Sequence, residues 1–142
     1  MGIKDSSGDF IEFSRGLYAN SDPAFAWIQG EDYLDGPALL IGADGIVTGL
    51  GNVWIEPYLV MYAASQRGDA GAIHHAQQQI NALYDIVQCV GGQTIPAIKA
   101  GAMYFNRSTA HMRIPGPELH TTDIELIRTT LENLHREHVM MM

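Results

Sequence analysis

Short apolar runs alternate with helical segments over the first half of the chain. Each run has the length of a strand, and glycine, serine or proline residues lie beside it. The runs cover residues 2–4, 24–30 and 43–49, and the helical segments that follow them cover residues 8–20, 32–41 and 52–69. Strands that are apolar on both faces are typical of parallel sheets covered by helices. The pattern therefore predicts an α/β fold whose parallel strands are joined by right-handed crossovers.

The second half of the chain predicts helices only. A long helix is expected to begin near Asp69 and to end at the glycine pair 91–92, since glycine is a common helix stop. A further helix is expected over residues 94–105. An amphipathic helix over residues 121–139 follows, with Thr122 as its N-terminal cap.

The pattern divides the chain into two regions. Residues 1–69 hold all the predicted strands, and residues 70–142 form a helical extension. Three strands alone make a poor sheet, because both of its edges stay open. We therefore expect the chain to be the back part of a larger fold, or to pair with the strands of a partner.

Composition excludes several classes of protein. The chain carries 16 acidic and 8 basic residues, a net charge of −8, which argues against binding to nucleic acid. The single cysteine, Cys89, excludes a disulfide framework and a cysteine zinc cluster, so a reducing, cytoplasmic location is expected. No apolar stretch approaches the ~18 residues of a membrane span.

Lys4 is the first candidate for chemistry, since the chain has only one other lysine, Lys99. It lies at the carboxyl end of the first predicted strand, where parallel α/β folds place their functional sites. Apolar walls disfavour the charged form of an amine and lower its pKa, and a neutral amine can form a Schiff base with a carbonyl. The alternative is a strand-end lysine that extends into solvent and pairs with Asp5 or Asp32.

Several stretches resemble one family in the same order along the chain. "GIKDSSGD" at residues 2–9 resembles the Schiff-base strand of the pyruvate-dependent lyases that include dihydrodipicolinate synthase and N-acetylneuraminate lyase. "QGEDYLDGPALLIGADGIVTGLGNV" at residues 29–53 is similar to the glycine-plus-acid turn and glycine-rich strand that follow. "IPAIKAGAMYF" and "MRIPGPEL" resemble the closing helices and their proline-rich link. The resemblance covers essentially all 142 residues.

The resemblance implies a TIM (β/α)8 barrel with additional helices at its end. The chain would correspond to about strands six to eight, in residues 1–69, and to the C-terminal helical extension, in residues 70–142. The carboxylate-binding hydroxyl pair and the proton-shuttling tyrosine of the family belong to earlier strands. A chain without them would form an imine with reduced positioning and proton transfer.

The resemblance also implies roles for the residues that match the family motifs. Lys4 takes the imine-forming role, and Ser6 matches a hydroxyl near the substrate, with a cap for the next helix as the alternative. Gly30 matches the glycine where the backbone approaches the ligand closely. Asp32 matches an acid that binds substrate hydroxyls, with a cap for the helix over 32–41 as the alternative.

Two further positions belong to the predicted third strand. Val47 matches a residue whose backbone carbonyl faces the active site. Gly49 lies where members that act on sugar acids often have serine, and this departure argues against cleavage of sialic acid.

The implied function is condensation or cleavage of pyruvate, or another 2-oxo acid, with an aldehyde through an imine on Lys4. No cofactor or metal is expected, and the expected partners are the 2-oxo acid and further copies of the chain or a separate N-terminal half. The alternative is a non-catalytic half-barrel that self-associates or complements that missing half.

Overall fold

The computed structural model describes residues 1–113 and 119–140. Three parallel strands form one sheet in the order β1-β2-β3: β1 is Gly2–Asp5, β2 is Ala26–Gln29 and β3 is Gly45–Ile46. Each strand pairs with the next in the chain, with Lys4 opposite Ile28 and Ile28 opposite Gly45. The predicted α/β pattern with parallel strands is confirmed.

The helices follow the predicted order. They are α1 (Phe10–Ala19), α2 (Asp35–Leu40), α3 (Glu56–Ser65), α4 (Ala70–Leu83), α5 (Asp85–Gln88), α6 (Thr94–Tyr104) and α7 (Thr121–Met140). Helices α1 to α6 lie within the predicted bounds, and α7 extends one residue beyond them. Short 3₁₀ turns at Asp32–Leu34 and Leu50–Asn52 precede α2 and α3. Pro57 lies in the first turn of α3, where a missing N–H costs no intrahelical hydrogen bond.

The described residues divide into two compact units. The first comprises Met1–Gly51 and Ile55–Asn81, and the second comprises Asn52–Trp54 and Ala82–Met142. The sheet, α1, α2 and α3 lie in the first unit, and α5, α6 and α7 lie in the second. The predicted division between a barrel region and an extension at residues 69 and 70 stays a prediction.

In the first unit, α1 covers the sheet through aromatic side chains. Phe13 is buried and meets Trp27 of β2 edge-on, with ring centroids 5.8 Å apart. Gly16 lies beneath the same indole, since a β-carbon there would be 2.1 Å from Trp27 Cη2. Any larger residue at position 16 would displace the Trp27 indole or move α1 away from β2.

The long helix predicted from Asp69 is interrupted at Tyr84. Helix α5 begins anew there, and Gly91 and Gly92, with φ of 68° and 82°, then end the segment as expected. Neither glycine nor proline marks the interruption, so helical periodicity alone did not predict it.

The predicted cap of the last helix is wrong. Thr122 lies inside α7, whereas Asp123 Oδ2 accepts a hydrogen bond of 2.8 Å from His120 N, just before the helix. A carboxylate in the first turn reaches the free N–H group more readily and also favours the helix dipole. The predicted proline-rich link falls largely on residues 114–118, outside the described residues. No helix in the described ranges has the length and hydropathy needed to cross a membrane.

Candidate functional site

The carboxyl ends of the three strands bring together residues that are far apart in the sequence. Gly30 N donates to Asp5 O at 2.8 Å, which ties the end of β2 to the end of β1. Val47 N donates to Gln29 O at 2.8 Å, which ties the chain after β3 to β2. Three of the predicted site positions, Lys4, Gly30 and Val47, therefore lie at one end of one sheet.

Gly30 is the position over which the side chains of Lys4 and Ser6 meet. A β-carbon on Gly30 would lie 2.2 Å from Lys4 Cε, 2.3 Å from Ser6 Oγ and 2.9 Å from Lys4 Nζ. Real β-carbons do not approach other atoms so closely, so only glycine permits this arrangement. The side chains of Lys4 and Ser6 thus lie close to Gly30, and the predicted approach of its backbone to a ligand stays a prediction.

Ser6 does not cap the helix that follows it. Its Oγ donates to Gly30 O at 3.2 Å, across the gap between the first two strands. The cap of α1 is Asp9, whose Oδ1 accepts from Ile11 N at 3.1 Å and from Glu12 N at 3.0 Å. The cap alternative for Ser6 is wrong, and its hydroxyl lies beside the lysine instead.

Lys4 is exposed, where apolar walls were expected to surround it. The reason is the sheet order: β1 is an edge strand of the described sheet, so only β2 lies beside it. The amine nonetheless lies close to Gly30, and Lys4 lies near the carboxyl end of β1, as predicted.

Gln29 is a site residue that the sequence analysis missed. Its side chain is only 2% exposed, and its Oε1 accepts from Gly30 N at 2.8 Å and from Glu31 N at 2.9 Å. It therefore fixes the backbone turn beneath Lys4. A polar residue directly before a glycine, at the end of an apolar run, was the available signal.

Asp32 is buried and bonded within the protein. Its Oδ1 accepts from the Thr48 hydroxyl, from Tyr58 Oη at 2.5 Å and from Leu50 N at 3.4 Å. Burial and the charge of Asp32 raise the pKa of the Tyr58 hydroxyl, so Tyr58 remains a hydrogen-bond donor. Asp32 makes no cap hydrogen bond to the helical segment that begins there, so the cap alternative is wrong.

The other two predicted positions lie beyond the third strand, which ends at Ile46. Val47 is 54% exposed, and Gly49 is half-buried and makes contacts of its own. The predicted role of Val47 concerns its backbone carbonyl and stays a prediction, as does the binding of substrate by Asp32 and Gly49.

Asp35 is a second buried carboxylate, three residues further on. It is 0% exposed, and neither carboxylate oxygen accepts a hydrogen bond from the described part of the chain. Burial, and after it the charges of Asp32 and Glu31, raises the pKa of Asp35 to about 8 against the opposing charge of Lys4. The pKa of Glu31 is also raised, by burial and by the charge of Asp32, and the charge of Lys4 opposes this rise. The amine thus stands in the field of several acidic groups.

No group of three histidine, cysteine, aspartate or glutamate side chains within the described ranges could hold a metal ion. What the strand ends offer is a primary amine next to a hydroxyl on a rigid turn. Such an arrangement can attack a carbonyl carbon and hold a polar substituent beside it.

Comparison with solved structures identifies the same architecture elsewhere. A dihydrodipicolinate synthase from Bacteroides thetaiotaomicron matches with a TM-score of 0.86 and 23% identity, over 94% of this chain and 46% of that one. YagE from E. coli, solved in complex with pyruvate, matches with a TM-score of 0.80 and 21% identity, over 95% and 46%. These likenesses show that the chain has the fold of part of a β/α barrel.

Comparison of sequences adds the family. The 4-hydroxy-tetrahydrodipicolinate synthase of Methanospirillum hungatei is 27% identical over 131 residues, which is 92% of this chain and 44% of that protein. The chain therefore spans less than half the length of this relative. The family model for dihydrodipicolinate synthetases matches residues 1–134. With nearly all of its residues matched, the chain belongs to the dihydrodipicolinate synthetase family.

Proposed function

We propose that this chain supplies the imine-forming lysine, Lys4, to a lyase that joins or splits a 2-oxo acid such as pyruvate and an aldehyde. It would correspond to about strands six to eight of the barrel, with residues 70–142 as the helical extension. The observation that carries the proposal is the packing of Lys4 and Ser6 over Gly30, at the carboxyl ends of parallel strands.

The chemistry follows from the position of the amine. The unprotonated amine of Lys4 adds to the keto carbon, and a proton moves from nitrogen to oxygen to give a carbinolamine. The hydroxyl then takes up a second proton from solvent and leaves as water, which gives an iminium ion. The adjacent carbon then loses a proton, and the resulting enamine adds to the aldehyde carbon while the aldehyde oxygen takes up a proton. Hydrolysis of the imine returns Lys4. Enzymes of this family need no external cofactor, because the lysine itself forms the Schiff base with the substrate.

Turnover by these residues alone is expected to be slow. The resemblance assigns the carboxylate-binding hydroxyls and the proton-shuttling tyrosine to earlier strands, and positioned proton transfer is worth about 10²–10⁴-fold in rate. Imine formation needs only the amine and a bound carbonyl compound. The formation of the imine, rather than turnover, is therefore the property to test first.

Reductive trapping tests the imine directly. The chain is incubated with pyruvate and borohydride, and the intact mass and the modified peptide are measured. We expect one irreversible adduct on the peptide that contains Lys4. The two lysines provide a matched pair: Lys4→Arg should lose the adduct, and Lys99→Arg should keep it.

Two glycine variants test the geometry. Gly30→Ala pushes the Lys4 and Ser6 side chains aside, so we expect trapping to slow by about tenfold or more, as in other cases of misplaced reacting groups. Gly45→Ala is the control, because a β-carbon there meets only Ile28 Cδ1 at an ordinary 3.4 Å. Equal trapping in both variants, or an adduct that survives Lys4→Arg, would contradict the proposed function.

A half-barrel without catalysis is the second candidate. It is favoured by the two edge strands of the described sheet and by exposed apolar residues next to β3, such as Val47 and Leu59. A folded, associated protein that gives no adduct with pyruvate would support it.

A further inference from the structure

The second unit contains a cavity that the proposed lyase chemistry does not use. Its volume is about 310 Å³, within the range of small-molecule sites. One wall is a single face of α6, with Ile95, Ile98, Lys99 and Ala102 at helical spacing. Asn52, Arg107 and Ser108 also line the cavity.

The charge of this cavity is opposite to that of the chain. The chain holds 16 acidic and 8 basic residues, yet two basic residues and no acidic residue line the cavity. Neither Lys99 nor Arg107 forms an ion pair with a carboxylate among the residues that the structure describes. Within the described ranges, both cations therefore keep charge available for an anion.

Both cations are fixed in place by backbone oxygens. Lys99 Nζ donates to His111 O at 2.8 Å, and Arg107 Nη1 donates to Val53 O at 2.8 Å. The Arg107 guanidinium also lies 5.5 Å from the centroid of the Phe105 ring. Side chains that are already ordered lose less entropy when they bind a ligand.

The turn after α6 explains how Arg107 reaches the cavity. Asn106 has a φ of 55°, a left-handed conformation that asparagine tolerates, and its N–H donates to Met103 O at 2.9 Å. Arg107 N donates to Ala102 O, also at 2.9 Å. This pair of hydrogen bonds ends the helix and turns the chain back toward the face that carries Lys99.

The apolar part of the cavity defines the class of ligand. Ile95 is 55% exposed at its edge, and Ile98 and Ala102 are buried beneath. An ammonium group and a guanidinium group bind a carboxylate, and the isoleucines cover a short hydrocarbon chain. We propose that this cavity binds a small organic carboxylate with a short apolar chain, separately from the chemistry at Lys4.

Titrations of the 142-residue chain followed by amide NMR signals test this site. The probes are isovalerate, its neutral amide isovaleramide, and inorganic phosphate; none of them can form an imine with Lys4. We expect isovalerate to shift the signals of Ala102 and Ser108 saturably, with a dissociation constant on the order of 1 mM. Isovaleramide should bind about tenfold more weakly or worse, because it lacks the charge.

Variants assign the binding to the cations. Lys99→Gln should weaken isovalerate binding by about tenfold, and Lys99→Arg should largely keep it. Arg128→Gln on α7 is the control, since Arg128 pairs with Glu125 and Glu132 on the surface of the same unit. If Lys99→Gln fails to fold, the comparison of isovalerate with isovaleramide on the wild-type chain still tests whether the cavity binds the carboxylate group.

Three results would overturn the proposal. The first is equal binding of acid and amide, and the second is an equal loss of affinity in Arg128→Gln. The third is saturable binding of phosphate without binding of isovalerate, which would mean an anion site with no apolar component.

Discussion

At the scale of single residues, two buried carboxylates three positions apart have opposite environments. Asp32 accepts hydrogen bonds from Thr48, Tyr58 and Leu50, so its negative charge is compensated by donors. Asp35 is fully inaccessible, and its oxygens accept no hydrogen bond from the described residues. A buried charge without donors is costly, so Asp35 favours its protonated form.

The environment of Asp35 predicts a pH dependence of stability. Its pKa is about 8 in the folded chain, against 3.8 ordinarily, so the folded state holds the proton more tightly than the unfolded state. The free energy of unfolding should therefore fall as the pH rises from about 4 to about 8. Asp35→Asn removes this titration, so between pH 5 and pH 8.5 the free energy of unfolding of the variant should rise by on the order of 4 kcal/mol relative to that of wild type.

Urea unfolding of both proteins at several pH values provides the measurement. Asp32→Asn is the comparison, because it replaces a carboxylate that accepts several hydrogen bonds with a weaker, neutral acceptor. It should therefore lower the free energy of unfolding throughout this pH range. Parallel curves for wild type and Asp35→Asn would show that Asp35 does not titrate in this window.

The sequence predicted some residues of the candidate site and missed others for a physical reason. Lys4, Ser6 and Gly30 were found because short motifs carry them, even though 24 positions separate Ser6 from its hydrogen-bond acceptor. Tyr58 and Asp35 were missed, because their environments arise only when distant segments meet, as the Tyr58–Asp32 hydrogen bond does across 26 positions. Hydrophobic periodicity predicts which face of a helix or strand is apolar, but it does not predict which polar groups will form hydrogen bonds with each other.

At the scale of elements, helix starts depend on which side chain reaches the free N–H groups. Asp123 reaches His120 N from the first turn of α7, while the predicted cap, Thr122, is exposed within the helix. We expect Asp123→Ala to lower the free energy of unfolding by about 1 kcal/mol. Thr122→Ala should leave it unchanged or slightly higher, since alanine favours helix interiors.

Thermal or urea unfolding of the two variants under identical conditions distinguishes them. A larger loss for Thr122→Ala would contradict the assigned cap. The pair also illustrates the limit of sequence analysis at this scale. Thr122, before a run of apolar residues at helical spacing, predicted the N-terminal cap. The observed cap differs because the carboxylate of Asp123, one position later, forms the hydrogen bond with His120 N.

Strand lengths show the same limit. The apolar run over residues 43–49 predicted a full strand, but β3 has only Gly45–Ile46. Val47 still bonds to β2, and Thr48 then turns to Asp32. The strand therefore ends two residues before Thr48, whose hydrogen bond with the distant Asp32 the apolar pattern did not predict.

At the scale of the whole molecule, the described sheet has two open edges. β1 and β3 each pair on one side only, and a groove of about 360 Å³ lies beside β3, lined partly by Ile46, Ile55 and Leu59. Leu59 is 61% exposed. An unpaired strand next to apolar side chains favours association with another chain.

We therefore expect the chain to self-associate, with a mass by light scattering that rises with concentration. Leu59→Lys places a charge in the groove beside β3 and should shift the equilibrium toward the monomer. Ile11→Lys is the control, because Ile11 is also exposed but lies on α1 and does not line the groove. A wild-type chain that stays monomeric at every concentration would show that these edges are tolerated without a partner. Equal dissociation by both substitutions would mean that the contact lies elsewhere, since only one of the two residues lines the groove.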